Sequence, residues 1–159
     1  MKKSKLISYV VSVAAALAVG GLSAFVTRGG MDIYSDIKTP PLSPPGFIFP
    51  IVWTVLFILM GISAAIIYTS ENGTSAQRAD ALKIYAASLA VNFAWSIVFF
   101  NKRAFLTAFV VLLLLLFLIL KTIGAYKKIS PSAAHLQIPY ALWVTFAGYL
   151  NIAIWLLNK

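Results

Sequence analysis

Cysteine is absent from this chain. That excludes a disulfide framework, a thiol nucleophile and a thiolate metal site. Carboxylates are scarce. The four acidic residues are Asp32, Asp36, Glu71 and Asp80, against 13 lysines and arginines and one histidine, His135. All four acids fall in polar stretches between apolar ones. Ion-coupled transporters and pumps carry ionisable groups in the membrane interior, and none of these carboxylates lies there. Nor is there a catalytic triad, a carboxylate pair, a phosphate loop or a metal-spaced cluster, so conventional acid–base catalysis has nothing to work with. Charged residues make up only 11% of the chain, too few to cover a globular surface. Alternating apolar and polar segments of about ten residues are missing as well, which argues against a β-barrel.

What is present is apolar sequence. The chain of 159 residues is 61% hydrophobic, where soluble domains stay near half. Leu6–Val26 and Phe47–Thr69 are uncharged, as are Ile84–Phe100 and Ala104–Leu120, and Ile129–Asn158 has only His135 as an ionisable group. A bilayer core of about 30 Å takes about 20 helical residues. With their polar shoulders all five stretches reach that length. The expected architecture is therefore an all-α integral membrane protein, a five-transmembrane-helix bundle, in a single domain over 1–159. The basic N-terminus resembles a secretory signal, but its apolar run exceeds the roughly 7–15 residues of a signal core, so it reads as the first span.

The formal net charge of +9 raises the question of nucleic acid. The basic residues form no stripe, however. They lie in the connections, as topology signals and lipid headgroup contacts. With the N-terminus inside, Lys2, Lys3, Lys5, Arg78, Lys83, Lys121, Lys127 and Lys128 lie inside, and Arg28, Lys38, Lys102, Arg103 and Lys159 outside. The excess inside favours that orientation.

The spans are expected near Leu6–Val26, Pro45–Thr69, Ala81–Phe100, Ala104–Tyr126 and Ala133–Leu157. The segment "SENGTSAQRAD" reads as a polar loop. Pro131 suits a helix start. The fourth span has nothing polar between Thr107 and Lys121, so it is expected to face lipid and to contribute little chemistry.

Unusual residues gather in the outer half. At about 1.5 Å rise per residue, Trp53 and Asn92 lie about 12 Å deep, Trp95 about 8 Å and Asn151 about 9 Å. Trp143 is deeper still. Asn92, Trp95 and Phe99 share one face of the third span, Trp53 and Phe57 one face of the second, and Trp143, Ala147, Leu150 and Asn151 one face of the fifth. Three helices can thus turn aromatic stripes toward one cavity. Plainer roles stand beside this one. Tryptophans anchor at the interface, the reading taken for Trp155 and open for Trp95. Asparagines in spans serve as interhelical glue, open for Asn92 and Asn151. His135 reads as interfacial, with a metal or haem-iron ligand as the alternative.

Prolines crowd the first connection: Pro40, Pro41, Pro44, Pro45 and Pro50. Proline brings no backbone donor needing a partner and loses less entropy when a loop is ordered. A stiff lid over the bundle mouth and a simple helix stop-and-start both fit.

The stretch "IYSDIKTPPLSPPGFIFPIVWTVLF" resembles the signature of the TspO/MBR family, the translocator proteins, also called peripheral-type benzodiazepine receptors or tryptophan-rich sensory proteins. "YAASLAVNFAWSIVFFNKR" and "IPYALWVTFAGYLN" are similar to the family's patterns in the third and fifth spans. The resemblance implies a five-helix bundle, often dimeric, that binds porphyrins, haem and hydrophobic drugs, with the membrane lipid as its surroundings. It implies a pocket under the first loop lined by Trp53, Phe57, Asn92, Trp95, Trp143, Ala147 and Leu150 and closed by Tyr34 and Pro45. The face analysis adds Phe99 and Asn151. No cofactor is required; porphyrin or haem is the expected ligand, and nucleic acid is not a partner. Where the family often has tryptophan in the loop, this chain has Ile33, Pro41 and Leu42, which weakens loop stacking on a porphyrin. The sterol pattern at the end of the fifth span fails, because Tyr149 has no Lys or Arg nearby. Ala86, Ala90 and Ala94 give small-residue spacing for close helix contact within the bundle or across a homodimer. The expected function is porphyrin sensing, transport or disposal in a bacterial cytoplasmic membrane. Light-dependent porphyrin breakdown is the alternative, with Trp53, Trp95 and Trp143 as candidates. A passive scaffold whose pocket is only packing is the third reading.

Overall fold

The computed structural model describes residues 2–159; of the expected domain 1–159, only Met1 lies outside. Helices α1 (Lys3–Val26), α2 (Ile33–Asp36), α3 (Ile48–Tyr68), α4 (Ser75–Ser96), α5 (Phe105–Lys127) and α6 (Pro131–Asn158) follow in order, with no strand among the described residues. All but α2 are long and apolar enough to cross a bilayer. They form a ring in which α1 packs on α3, α3 on α6, α6 on α5 and α5 on α4; α4 closes it with thinner contacts to α1 and α3.

The third span differs most from the sequence expectation. Helix α4 begins at Ser75, so most of the expected polar loop is helical. The cause is a capping box: Gln77 N–H donates to Thr74 Oγ1 at 3.0 Å, and the Thr74 N–H donates to Gln77 Oε1 at 2.8 Å. Two orphan donors are satisfied reciprocally, and the first turns form without burial. At its other end α4 widens into a π-turn over Ile97–Asn101, bringing Phe99 and Phe100 together with ring centroids 5.0 Å apart.

With little hydrophobic drive between helices in lipid, close fit and a few polar ties hold such bundles. Helices α1 and α3 touch through backbone. A Cβ at Gly61 would lie 2.5 Å from Val13 Cα, and Ser12 Oγ donates to the Gly61 carbonyl at 2.7 Å. Ser63 Oγ donates to the Ala133 carbonyl at 2.7 Å, tying α3 to α6. Helix α5 buries one stripe, Ala108, Leu112, Leu115, Ile119, Thr122 and Tyr126, and exposes the opposite face, including Val110, Leu113, Leu114 and Phe117.

The first connection, residues 27–47, is fastened on several sides. Its centre is α2, with Ile33 fully buried. Arg103 donates to Asp36 at 3.0 Å, an exposed pair of the kind that adds no more than about 1 kcal/mol. Asn158 clasps the backbone of Lys38 on both sides: Nδ2 donates to its carbonyl and Oδ1 accepts from its N–H, each at 2.9 Å. Tyr149 Oη donates to the Pro41 carbonyl at 2.7 Å. Leu42 sits at the exposed tip with φ 70°.

Two outcomes check this packing. Gly61→Ala is expected to destabilise by about 1–3 kcal/mol through overpacking, whereas Gly124→Ala, with open space around its Cβ, is neutral or slightly stabilising. Thermal midpoints in detergent measure both, and equal effects would contradict the α1–α3 contact. Asn158→Ala is expected to raise amide exchange at Lys38 at least tenfold while the global midpoint moves by no more than a few degrees. Unchanged exchange would show that the clasp does not hold the loop.

Candidate functional site

Small residues on α1 leave room beneath the first connection. Gly20 is required there: a Cβ would lie 2.6 Å from the Phe57 ring. The space between α1, α3, α4, α6 and the loop is a cavity of about 560 Å³. Small-molecule sites span about 300–1,000 Å³.

Each sequence-derived position has a definite place. Trp53 and Phe57 from α3, Asn92 and Trp95 from α4, Phe99 from the π-turn, and Trp143, Ala147, Leu150 and Asn151 from α6 all line the cavity, and Tyr34 covers it from the loop. Pro45 does not. It is exposed, and its carbonyl accepts from Ile48 N–H at 3.0 Å, starting α3. The wall expected of Pro45 is made by Gly46, just before α3, and by Phe49 and Pro50 in its first turn. His135 is exposed at the far end of α6, away from the cavity. Trp155 is half-buried outside the cavity, with Lys159 Nζ 5.2 Å from its ring. Ala86, Ala90 and Ala94 face outward and so are not packed within the bundle. No α5 residue lines the cavity.

The α1 wall escapes the sequence reading: Leu17, Gly20, Gly21, Ser23 and Ala24, with Thr27 just past the helix end. Its only signal is a cluster of small residues late in an apolar run. Phe49, Phe100 and Met31 were missed too. Phe49 is central, since it stacks on Tyr34 with centroids 5.3 Å apart and meets Trp143 edge-on at 5.9 Å.

The aromatics form one connected set. Trp95 lies 5.3 Å from Phe99 and 6.4 Å from Trp53 between centroids, and Trp53 lies 6.3 Å from Tyr140. Such pairs add about 0.5–1.5 kcal/mol beyond their area burial, so the walls are stiff. Polar ties fix their orientation. Trp95 Nε1 donates to Asn151 Oδ1 at 3.0 Å, and Asn151 Nδ2 donates to the Phe105 carbonyl at 2.7 Å. Asn92 Nδ2 donates to the Tyr140 hydroxyl at 2.8 Å. Both amides therefore act as interhelical glue while lining the cavity. Two buried lining atoms have no partner, Trp143 Nε1 and Ser23 Oγ. Burial pushes the Tyr34 phenol up to about 12, so it is a neutral donor at physiological pH.

No group of three or more His, Cys, Asp or Glu that could hold a metal exists among the described residues. The lining is aromatic and aliphatic with a few placed polar groups, the make-up of a site for an apolar small molecule. No general base or nucleophile–base pair is built into it.

Comparison with known proteins agrees with this architecture. The TspO/MBR family profile matches residues 12–156. The chain is 38% identical over 141 residues to the translocator protein of Bos taurus, covering 88% of this chain and 83% of that one. It is 36% identical over 146 residues to the tryptophan-rich protein TspO of Chlorobaculum tepidum, covering 89% and 90%. It is 32% identical over 152 residues to protein CrtK of Rhodobacter capsulatus, covering 94% and 92%. This chain is a multi-pass membrane protein that belongs to the TspO/MBR family.

Proposed function

We propose that the cavity binds a flat, largely apolar ligand of the porphyrin class, protoporphyrin or haem, and that the protein serves in sensing, transporting or disposing of tetrapyrroles. The observation that carries this reading is the cavity of about 560 Å³ walled by Trp53, Trp95, Phe99 and Trp143 under a fastened loop. Planar rings gain most from stacked and edge-on aromatic partners. The free Trp143 N–H and Ser23 hydroxyl supply polar handles for a ligand heteroatom. Arg28 and Lys38 belong to the connection that covers the cavity, and neither has a carboxylate partner among the described residues. They offer charge complementarity to acidic side arms of a porphyrin.

The loop shapes the preference. Ile33 is buried and Leu42 is largely exposed, so neither can stack over the cavity. Tyr34 is the only loop aromatic in the lining. The ligand is held by the helices more than by the lid. The names of relatives fit such a role: one, from Cereibacter sphaeroides, is called a tryptophan-rich sensory protein, and others are called translocator proteins. Light-driven porphyrin breakdown gains no observation of its own, so binding is the reading kept.

We propose a bacterial cytoplasmic membrane as its location; the distribution of lysine and arginine supports an N-terminus on the inside. The outward stripe of Ala86, Ala90 and Ala94 is proposed as the contact with a second copy, since small residues let helices approach closely.

Titrating protoporphyrin and, separately, an isoquinoline carboxamide into the detergent-solubilised protein is expected to quench tryptophan fluorescence saturably. Trp143→Ala is expected to weaken binding at least tenfold, about 1.4 kcal/mol, in protein whose thermal midpoint shows it folded. Linear, non-saturating quenching, or unchanged affinity in the variant, would count against the cavity as the site. Ala90→Leu is expected to shift a dimer to monomer in light scattering; an unmoved distribution would remove the α4 stripe as the contact.

A further inference from the structure

The cavity wall is exposed along one side of the bundle. Outside the first connection, the exposed residues that line it are Leu17, Gly21 and Ala24 on α1 and Pro50 and Thr54 on α3. Lining the space does not by itself expose a residue. Asn92, Trp95 and Phe99 line it and are buried, as are Ala147, Leu150 and Asn151. On α1 itself, Ser23 lines the cavity and is buried too. The exposure of the five therefore faces out of the bundle.

The five lie along one seam. Leu17, Gly21 and Ala24 are spaced i, i+4, i+7, in line with Val13, and Pro50 and Thr54 are in line with Phe57 and Gly61. Away from the loop the two stripes meet. A Cβ at Gly61 would lie 2.5 Å from Val13 Cα, and one at Gly20 would lie 2.6 Å from the Phe57 ring. Ser12 Oγ also donates to the Gly61 carbonyl at 2.7 Å. One residue beyond Gly20 the contact ends, and a Cβ at Gly21 would meet nothing within 4 Å. The seam is closed from Phe57 to the far end and open from Phe57 to the loop. Leu17 to the end of α1 at Val26 is about 14 Å of helix. Both helices are long and apolar enough to cross the bilayer, so the opening faces lipid tails.

Its rim needs no hydrogen-bond partner from lipid. Thr54 Oγ1 donates to the Pro50 carbonyl at 2.7 Å, Pro50 has no N–H, and the α1 side offers glycine, alanine and leucine. The connection presents the opposite case. Passage through it breaks the Asn158 clasp on Lys38, the Tyr149 bond to Pro41 and the Arg103–Asp36 pair. An apolar ligand concentrates in the bilayer, because leaving water is favourable. It reaches the seam without crossing water again, and a flat one can pass edge-on between two helices.

We propose that the seam between α1 and α3 is the doorway of the cavity, and that the ligand enters and leaves sideways, from the leaflet on the loop side, while the connection stays shut. This rests on the binding reading above and adds the ligand class that can use the site: molecules dissolved in the bilayer rather than confined to water.

Stopped-flow tryptophan quenching on the full chain in phosphatidylcholine vesicles separates the routes. Association is read on mixing with protoporphyrin-loaded vesicles, and dissociation on mixing the complex with empty ones. Gly21→Leu puts a side chain into the opening. It is expected to slow association and dissociation alike, each by roughly tenfold, because a narrowed doorway hinders passage both ways. A side chain that only took volume from the site would speed dissociation instead. Asn158→Ala, which loosens the connection, is expected to leave both rates within about twofold. Unslowed association or faster dissociation in Gly21→Leu, or both rates raised several-fold in Asn158→Ala, overturns the doorway while saturable binding upholds the site. No saturable binding by the wild-type protein overturns the binding reading, and the doorway with it. If Gly21→Leu fails to fold, Ala24→Leu, nearer the loop on the same stripe, takes its place under the same criteria.

Discussion

Hydrocarbon cannot hydrogen-bond, and most of this bundle follows from that constraint. Each polar group placed between the helices must find its partner there. The amide of Asn151 answers the constraint most fully. It accepts from the Trp95 indole on α4 and donates to the Phe105 carbonyl where α5 begins, so one side chain on α6 ties three helices. Trp95 is thereby fixed against Phe99 and Trp53, and the aromatic wall acquires its orientation. Such a tie is worth only about 0.6 kcal/mol on average in membranes. Its importance is geometric: without it the indole N–H would be buried and unpaired, so alternative orientations are disfavoured.

A cavity in a close-packed bundle needs a reason to stay open. Here stiff and small residues share the task. The aromatic rings brace one another around the space, and Gly20, Gly21 and Ala24 on α1 leave the volume that larger side chains would fill. The loop then covers the mouth. Its prolines limit the entropy lost on ordering, and Asn158 and Tyr149 fasten it to α6 while Arg103 fastens it to the link between α4 and α5. The result is a preformed cavity under a fastened loop.

The division of labour among the helices is uneven for a physical reason. Helix α5 has no residue at the cavity, and its buried stripe, ending in Tyr126, packs against its neighbours instead. Helix α1 buries little of its surface and makes an entire wall. Helices α4 and α6 carry buried polar residues along the face turned inward: Tyr85, Ser88 and Asn92 on one, Gln137, Tyr140 and Asn151 on the other.

The five spans, their order and the inward faces of α3, α4 and α6 were legible in the sequence, because run length and helical periodicity are local properties. Residues such as Asn92, Trp95 and Trp143 stood out as polar or bulky groups at depth. The start of α4 was legible in principle through Thr74 and Gln77, but its polar composition masked the helix. Other features depend on which segments meet. The α1 wall looks like ordinary small residues until α3 and the loop lie opposite it. Pro45 and Phe49 are four residues apart, and only the path of the chain puts one outside and the other over the mouth. Asn158 and Lys38 are 120 residues apart, and nothing in either neighbourhood announces the clasp. Local chemistry determined the elements and their inward faces; the tertiary structure decided which faces share a space, because that depends on packing between distant segments.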